Sequence, residues 1–367
     1  MPPFDFRSLS KRFAKVANNF REKASRQPLV QVTSQRIRAL TDSRSRSIVR
    51  RTSKAALELY VAQAHIATGS VVADHIANTV QKRLARLAQT KTFETAKDPV
   101  EALHDFRVAS RRLRAFVDVF EPLLDRDIGL RAKGPLQKIT RAVRTVRDWD
   151  VQLGLLQVRL DRAMTEIERI ALEDLLAAAT TKRKREARRA HKRLRKVDFN
   201  EVHFAVCATL GATITHMPAP GSATAQLLWE LIEPFVQTTS SARPPDDGLE
   251  HADWLHQFRI RLKKLRYALE LFEPALGSAF GQLYAPVEEL QELLGQHHDL
   301  VVLDELMERH RRDLEQENRG TLAHSLIALQ DRLVEERRAL VVRFRNEAFD
   351  ADCWRQSLRC QLDIGTS

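Results

Sequence analysis

A chain of 367 residues, 43% hydrophobic and 29% charged, can form one large domain or two ordinary ones, and its 12 glycines and 13 prolines are too few for a turn-rich β-protein or a low-complexity tract. Three cysteines without Cys-x-x-Cys spacing argue against a disulfide framework. No apolar run reaches the roughly 18 residues of a membrane span, and the opening MPPFDFRSLSKRF lacks the apolar core of a secretory leader, so a cytoplasmic protein without a transmembrane segment is expected.

The net charge of +12 is unevenly spread: residues 1–60 carry 14 basic and 4 acidic side chains. Residues 1–69 therefore read as a basic N-terminal extension. Phe4, Leu9, Phe13, Val16 and Phe20 interleave there with Arg7, Lys11, Arg12, Lys15 and Arg21. That pattern suits a basic amphipathic helix on an anionic membrane or granule surface; an unstructured tail and a helix docked on the body stay open beside it. From residue 70 onward apolar residues recur at three- and four-residue spacing over 70–91, 101–121, 135–160, 165–197, 222–238, 252–273, 280–315 and 321–346. Breaks are expected at Asp98-Pro99, Glu121-Pro122, Lys133-Gly134-Pro135, Met217–Gly221, Pro244–Gly248 and Glu273-Pro274-Ala275. No period-two strand is evident, so the fold class is all-α.

An internal repeat organises these helices. LHDFRVASRRLRAFVDVFEPLL at 103–124 realigns without gaps on LHQFRIRLKKLRYALELFEPAL at 255–276, with identity at ten of 22 positions and an offset of 152. RDWDV (147–151) then aligns weakly with QHHDL (296–300), setting Asp150 opposite Asp299, and RLRKVDF (193–199) aligns with RFRNEAF (343–349). The simplest architecture is two pseudo-symmetric four-helix bundles, 70–211 and 222–350, forming one domain over 70–350 with a linker near 212–251 and a C-terminal tail at 351–367.

On a helical wheel His104, Arg107, Arg111 and Arg114 fall within roughly 80° of one another, opposite Phe106, Leu113, Val117 and Phe120. His256, Arg259, Lys263 and Arg266 repeat the stripe, with Arg112 and Lys264 at its margins. Like charges at this spacing cost a few tenths of a kcal/mol per pair. An anionic partner offsets that cost, and arginine's planar fork suits phosphate; the rival explanation is neutralisation by Asp and Glu of neighbouring helices. A further run, KRKREARRAHKRLRK at 182–196, sets Arg185, Arg188, Arg189, Lys192 and Arg195 on one side of a helix. Taken alone it suits a solvated face as well as it suits an anion.

The doubled H-x-x-R-[VI]-x-x-[RK]-[RK]-L-R motif, followed by Asp150 and Asp299, resembles the CHAD family, the conserved histidine α-helical domain. The resemblance spans roughly residues 70–350. It implies two helical bundles related by pseudo-symmetry, a basic surface at their junction, and binding of inorganic polyphosphate, with association with polyphosphate granules as a further expectation. Residue by residue it assigns polyphosphate contacts to His104, Arg107, Arg111, Arg112 and Arg114, and to His256, Arg259, Lys263, Lys264 and Arg266. The run Arg185, Arg188, Arg189, Lys192 and Arg195 is added from its charge pattern. Residues 1–69 have no counterpart in the family core.

Two other functions compete with this reading. His297-His298-Asp299, with His256 and Asp304 as further ligands, would suit a metal-dependent phosphohydrolase, but the first repeat has Trp149-Asp150 where the second has this doublet. Asp150 and Asp299 are expected to cap helices or pair with arginine. A nonspecific nucleic-acid binder would also satisfy a cationic row, yet the rows carry no aromatic residue for base stacking. No glycine-rich phosphate loop and no nucleophile–base arrangement is present, and Cys207 reads as a core residue. The expectation is a binder with no cofactor, metal or catalytic residue.

Overall fold

The computed structural model describes residues 71–124, 126–217, 222–240, 251–346 and 351–362; the amphipathic pattern within 1–69 and the break at 244–248 lie outside them. Among the described residues there are only helices and their connections. The long helices are α1 (Val71–Thr90), α2 (Pro99–Phe120), α3 (Arg126–Leu160), α4 (Glu166–Leu194), α5 (Phe199–His216), α6 (Ser222–Ser240), α7 (Ala252–Leu271), α8 (Phe280–Gln316), α9 (Gly320–Asn346) and α10 (Ala351–Gln361). A single turn, Glu273–Leu276, links α7 to α8.

The expected starts have visible causes. Pro99 sits in the first turn of α2, where its missing N–H costs nothing, and the Asp98 carboxylate accepts from the Val100 and Glu101 amides, each at 3.0 Å. Thr165 caps α4 by accepting from the Glu168 amide at 3.1 Å, while Glu168 accepts from the Met164 amide at 3.0 Å. One expected stop fails: α3 runs through Lys133-Gly134-Pro135. Ile128, Ala132, Leu136, Ile139, Val143 and Val146 form one buried stripe across it. A proline costs a helix interior about 3 kcal/mol, which two or three buried aliphatic side chains offset.

Each repeat contains a fifth helix beyond the four expected. α5 is buried on most sides, with Val202, Val206, Leu210, Thr213 and Ile214 all covered, so it lacks the one-sided periodicity that marks a surface helix. It also extends to His216, past the expected end of the first unit at 211. Its counterpart α10 replaces the expected tail: Trp354 and Leu358 are buried, and the Trp354 indole donates to the Leu283 carbonyl at 2.8 Å.

The two repeats share their cores. One core joins α1, α2, α5, α6, α7 and α10 with the first halves of α3 and α8 and the last turns of α4 and α9. A second joins the remaining parts of the α3–α4 and α8–α9 hairpins. Phe120 and Phe272, equivalent residues of the two repeats, meet edge to face with centroids 5.7 Å apart. α2 and α7 thus pack against each other where the two repeats meet.

Candidate functional site

α2 and α7 bury their apolar faces in the shared core, and this aims their basic faces at the junction. Arg111 crosses it, donating to the Tyr267 hydroxyl at 2.7 Å with its guanidinium 5.6 Å from the ring centroid. Arg107, Arg111, Arg259 and Lys263 lie within electrostatic reach of one another. α3 adds Arg147 next to His104, Arg144 next to His256 and His298, and Asp148. α8 adds Asp299. Asp148 lies 3.6 Å from both Arg107 and Arg144. Five guanidiniums, the Lys263 amine and a set of histidines thus gather around Asp148 and Asp299.

Their protonation behaviour records that imbalance. Burial first, then Arg111, Arg259 and Arg107, depress the Lys263 ammonium to about 6, against the weaker opposing pull of Asp299. Burial followed by Arg111 lowers Arg107 to about 10. Burial and Arg147 lower His104, while burial, Arg259 and Arg144 lower His256. The His298 ring lies 4.2 Å from the His256 ring and is held at about 4 by burial, His256 and Arg259. Nε of Arg107, Nε of Arg259 and Nδ1 of His256 are buried and lack a hydrogen-bond partner among the described residues. Such a site is preset for negative charge.

The far end of each stripe behaves differently. Arg112 and Arg266 turn to Glu270, at 3.1 and 3.7 Å, and Arg83 of α1 joins them at 3.0 Å. Arg266 also approaches Glu288, and Tyr284 donates to both Glu270 and Glu288. Arg114 pairs with Asp118 at 3.5 Å. Internal neutralisation, the rival reading of the stripes, thus holds for Arg112, Arg114 and Arg266, while the Arg107–Arg111–Arg259–Lys263 group keeps its surplus. Lys264 is exposed beside a groove of about 160 Å³ between α2 and α7, which Arg111, Arg114, Lys263 and Tyr267 also line.

Arg185, Arg188, Arg189, Lys192 and Arg195 do not join this group. They stand exposed on α4, which packs chiefly against α3 and α9. Asp150 pairs with an arginine as expected, accepting from Arg183 Nε at 2.9 Å. Its counterpart is not Asp299, however, because the same link recurs at Arg337 and Asp304, 3.0 Å apart and equally spaced in sequence. The weak alignment of 147–151 with 296–300 is therefore out by five positions, and Asp299 instead faces Arg259.

The residues imagined as metal ligands point to different sides of α8. His298 meets His256 on the α7 side, whereas His297 lies near Arg337, and Asp304 bonds Arg337 and Gln330 of α9. Among the described residues no three His, Cys, Asp or Glu side chains group as a metal site would require. Sequence reasoning missed Arg144, Arg147, Asp148 and Tyr267. Arg147 and Asp148 stand in the RDWDV segment, which the repeat alignment reads for Asp150, and Arg144 belongs to a stretch read for its apolar stripe; nothing in their spacing marks them.

Comparison with known proteins bears on the family and the fold. The family model of the CHAD domain matches residues 78–308. In fold the chain is similar to the crystal structure of the CHAD domain from the plant Ricinus communis, with a TM-score of 0.52 and 19% identity over 82% of this chain and 94% of that one. It is also similar to PptA from Streptomyces chartreusis, with a TM-score of 0.53 and 19% identity over 75% of this chain and 98% of that one. No curated protein matches the chain.

Proposed function

The chain belongs to the CHAD domain family, and from that premise we propose that it binds inorganic polyphosphate at the junction of its two repeats. The observation that carries this reading is the convergence of Arg107, Arg111, Arg259 and Lys263, equivalent pairs from the two repeats, in a half-buried site with too few carboxylates to balance them. A chain of phosphates supplies a charge at every unit and can lie across both rows at once. Each charge-assisted bond to a guanidinium in this partly desolvated place is stronger than its solvent-exposed equivalent. Contact with both rows also raises the effective concentration of the second contact once the first is made, so long chains bind more tightly than short ones. Holding such chains would bring the protein to polyphosphate granules.

The protein acts as a binder and not as a hydrolase. Support comes from the division of the candidate ligands between two sides of α8. The experiment is to incubate the protein with long-chain polyphosphate, with and without magnesium or manganese, and to measure both retention and chain length. Metal-independent binding, strengthening with chain length and leaving the chain intact, is expected. Metal-dependent release of orthophosphate that disappears in His298→Ala would replace the binder with a phosphohydrolase.

A further inference from the structure

We propose that the outer face of α4 forms a second anion-binding surface, whose partner is the sugar–phosphate backbone of a double-helical nucleic acid. α3 and α4 are joined by a short link and run antiparallel, and the Arg183–Asp150 bond pins their register. Arg185, Arg188, Arg189, Lys192 and Arg195 are exposed on the side of α4 turned away from that bond and run about 15 Å along the helix. Arg185 and Arg189 have Glu186 beside them, but Arg188, Lys192 and Arg195 pair with no carboxylate of the described residues.

The face departs from the symmetry of the molecule. The central site is built from equivalent residues of both repeats. Residues 182–196 carry ten Lys and Arg against one Glu, whereas the equivalent 336–350 carry four arginines against three acids. The outer face is thus an addition to one repeat, outside the paired arrangement of the central site.

Access decides the kind of partner. The side chain of Arg107 is 22% exposed, reachable by a thin chain, whereas those of Arg185 and Arg189 are 62% and 55% exposed. A duplex about 20 Å thick touches only the second kind. No large exposed hydrophobic residue lies on this part of α4, where Ala190 and Leu194 are buried, so the face has no anchor for a bilayer. It has no aromatic residue for stacking unpaired bases. What remains is sequence-independent contact with the phosphates of a helix.

The test measures binding of a 30-base-pair duplex, as DNA and as RNA, to the full chain by fluorescence anisotropy at several salt concentrations. Arg188→Glu/Lys192→Glu/Arg195→Glu should weaken duplex binding more than about tenfold and make the log–log salt slope shallower by about 2 to 3, at roughly 0.9 per phosphate contact. Arg107→Ala/Lys263→Ala, in the central site, should change duplex affinity less than about twofold, as removing contacts a duplex cannot reach leaves its phosphate contacts unchanged. Circular dichroism checks that both variants keep their helices. Wild-type duplex binding by the α4 variant overturns the proposal. So does a preference for single strands over duplex, or loss of binding to phosphatidylglycerol vesicles alone in that variant. None of these outcomes depends on whether the central site holds polyphosphate.

Discussion

Lys263 offers the most direct test of the central site, because its charge should change when the ligand arrives. Arg107 and Arg111 of α2, Arg259 and His256 of α7, and His298 and Asp299 of α8 surround it, and burial with the three guanidiniums holds it at about 6. The amine is therefore neutral at pH 8 in the ligand-free protein. A phosphate chain places negative charge beside it and favours the protonated form. The free protein's value lies below the bound one, so binding takes up a proton between the two values, and affinity falls as pH rises through that window. If the bound value returns to the ordinary 10.5, Lys263 goes from about 1% to about 99% protonated on binding at pH 8, an uptake of about one proton. Affinity then drops roughly 50-fold from pH 6 to pH 8, about 2.3 kcal/mol, and the contribution of Lys263 levels off below pH 6. Calorimetry at pH 8 in buffers of different ionisation enthalpy counts the proton directly. Long chains keep the ligand's own terminal groups a small fraction, and Lys263→Met supplies the baseline, with the uptake and its share of the pH slope gone. Polyphosphate binding by the wild-type protein with no proton uptake at pH 8 and equal affinity at pH 6 and 8 would show that the amine is already charged, and would refute the argument from desolvation.

Three further outcomes follow from particular contacts. A Cβ on Gly295 would meet Arg259 Nε at 3.5 Å, an ordinary contact; Gly295→Ala should bind polyphosphate as the wild type does, while Gly295→Leu should displace Arg259 and weaken binding about tenfold or more, measured by filter retention, without removing any charge. Arg83 and Glu270, with side chains 10% and 13% exposed, form the innermost pair beneath the stripes; Arg83→Met should lower unfolding free energy by about 3 kcal/mol in urea titration, while Arg86→Met, at the exposed partner of Asp105, should cost under about 1 kcal/mol. Trp354→Ala should cost about 3 to 5 kcal/mol by leaving a cavity and removing the bond to the Leu283 carbonyl, with early melting of α10 seen by hydrogen exchange; stability equal to the wild type would mean that α10 is not part of the core.

Much of this architecture can be read from the chain without coordinates. The helical period, the Asp98-Pro99 start and the 152-residue repeat require only local rules, because caps and one-sided stripes act within a few residues. The same stripes identified Arg107, Arg111, Arg259 and Lys263, since a helix fixes which side chains share its face. α5 and α10 escaped that reading: the first is buried nearly all round, and the second is anchored by one tryptophan donating to a carbonyl 71 residues away. Continuation of α3 through Pro135 depended on a buried stripe whose partners lie on other helices. Which cations stay unbalanced was likewise settled only by packing. Arg112, Arg114 and Arg266 look like their neighbours in sequence, but Glu270, Asp118 and Glu288 stand within reach of them and not of Lys263. Spacing along a helix sets the direction in which a charge points; the charge it meets there belongs to another helix, and only the tertiary fold brings the two together.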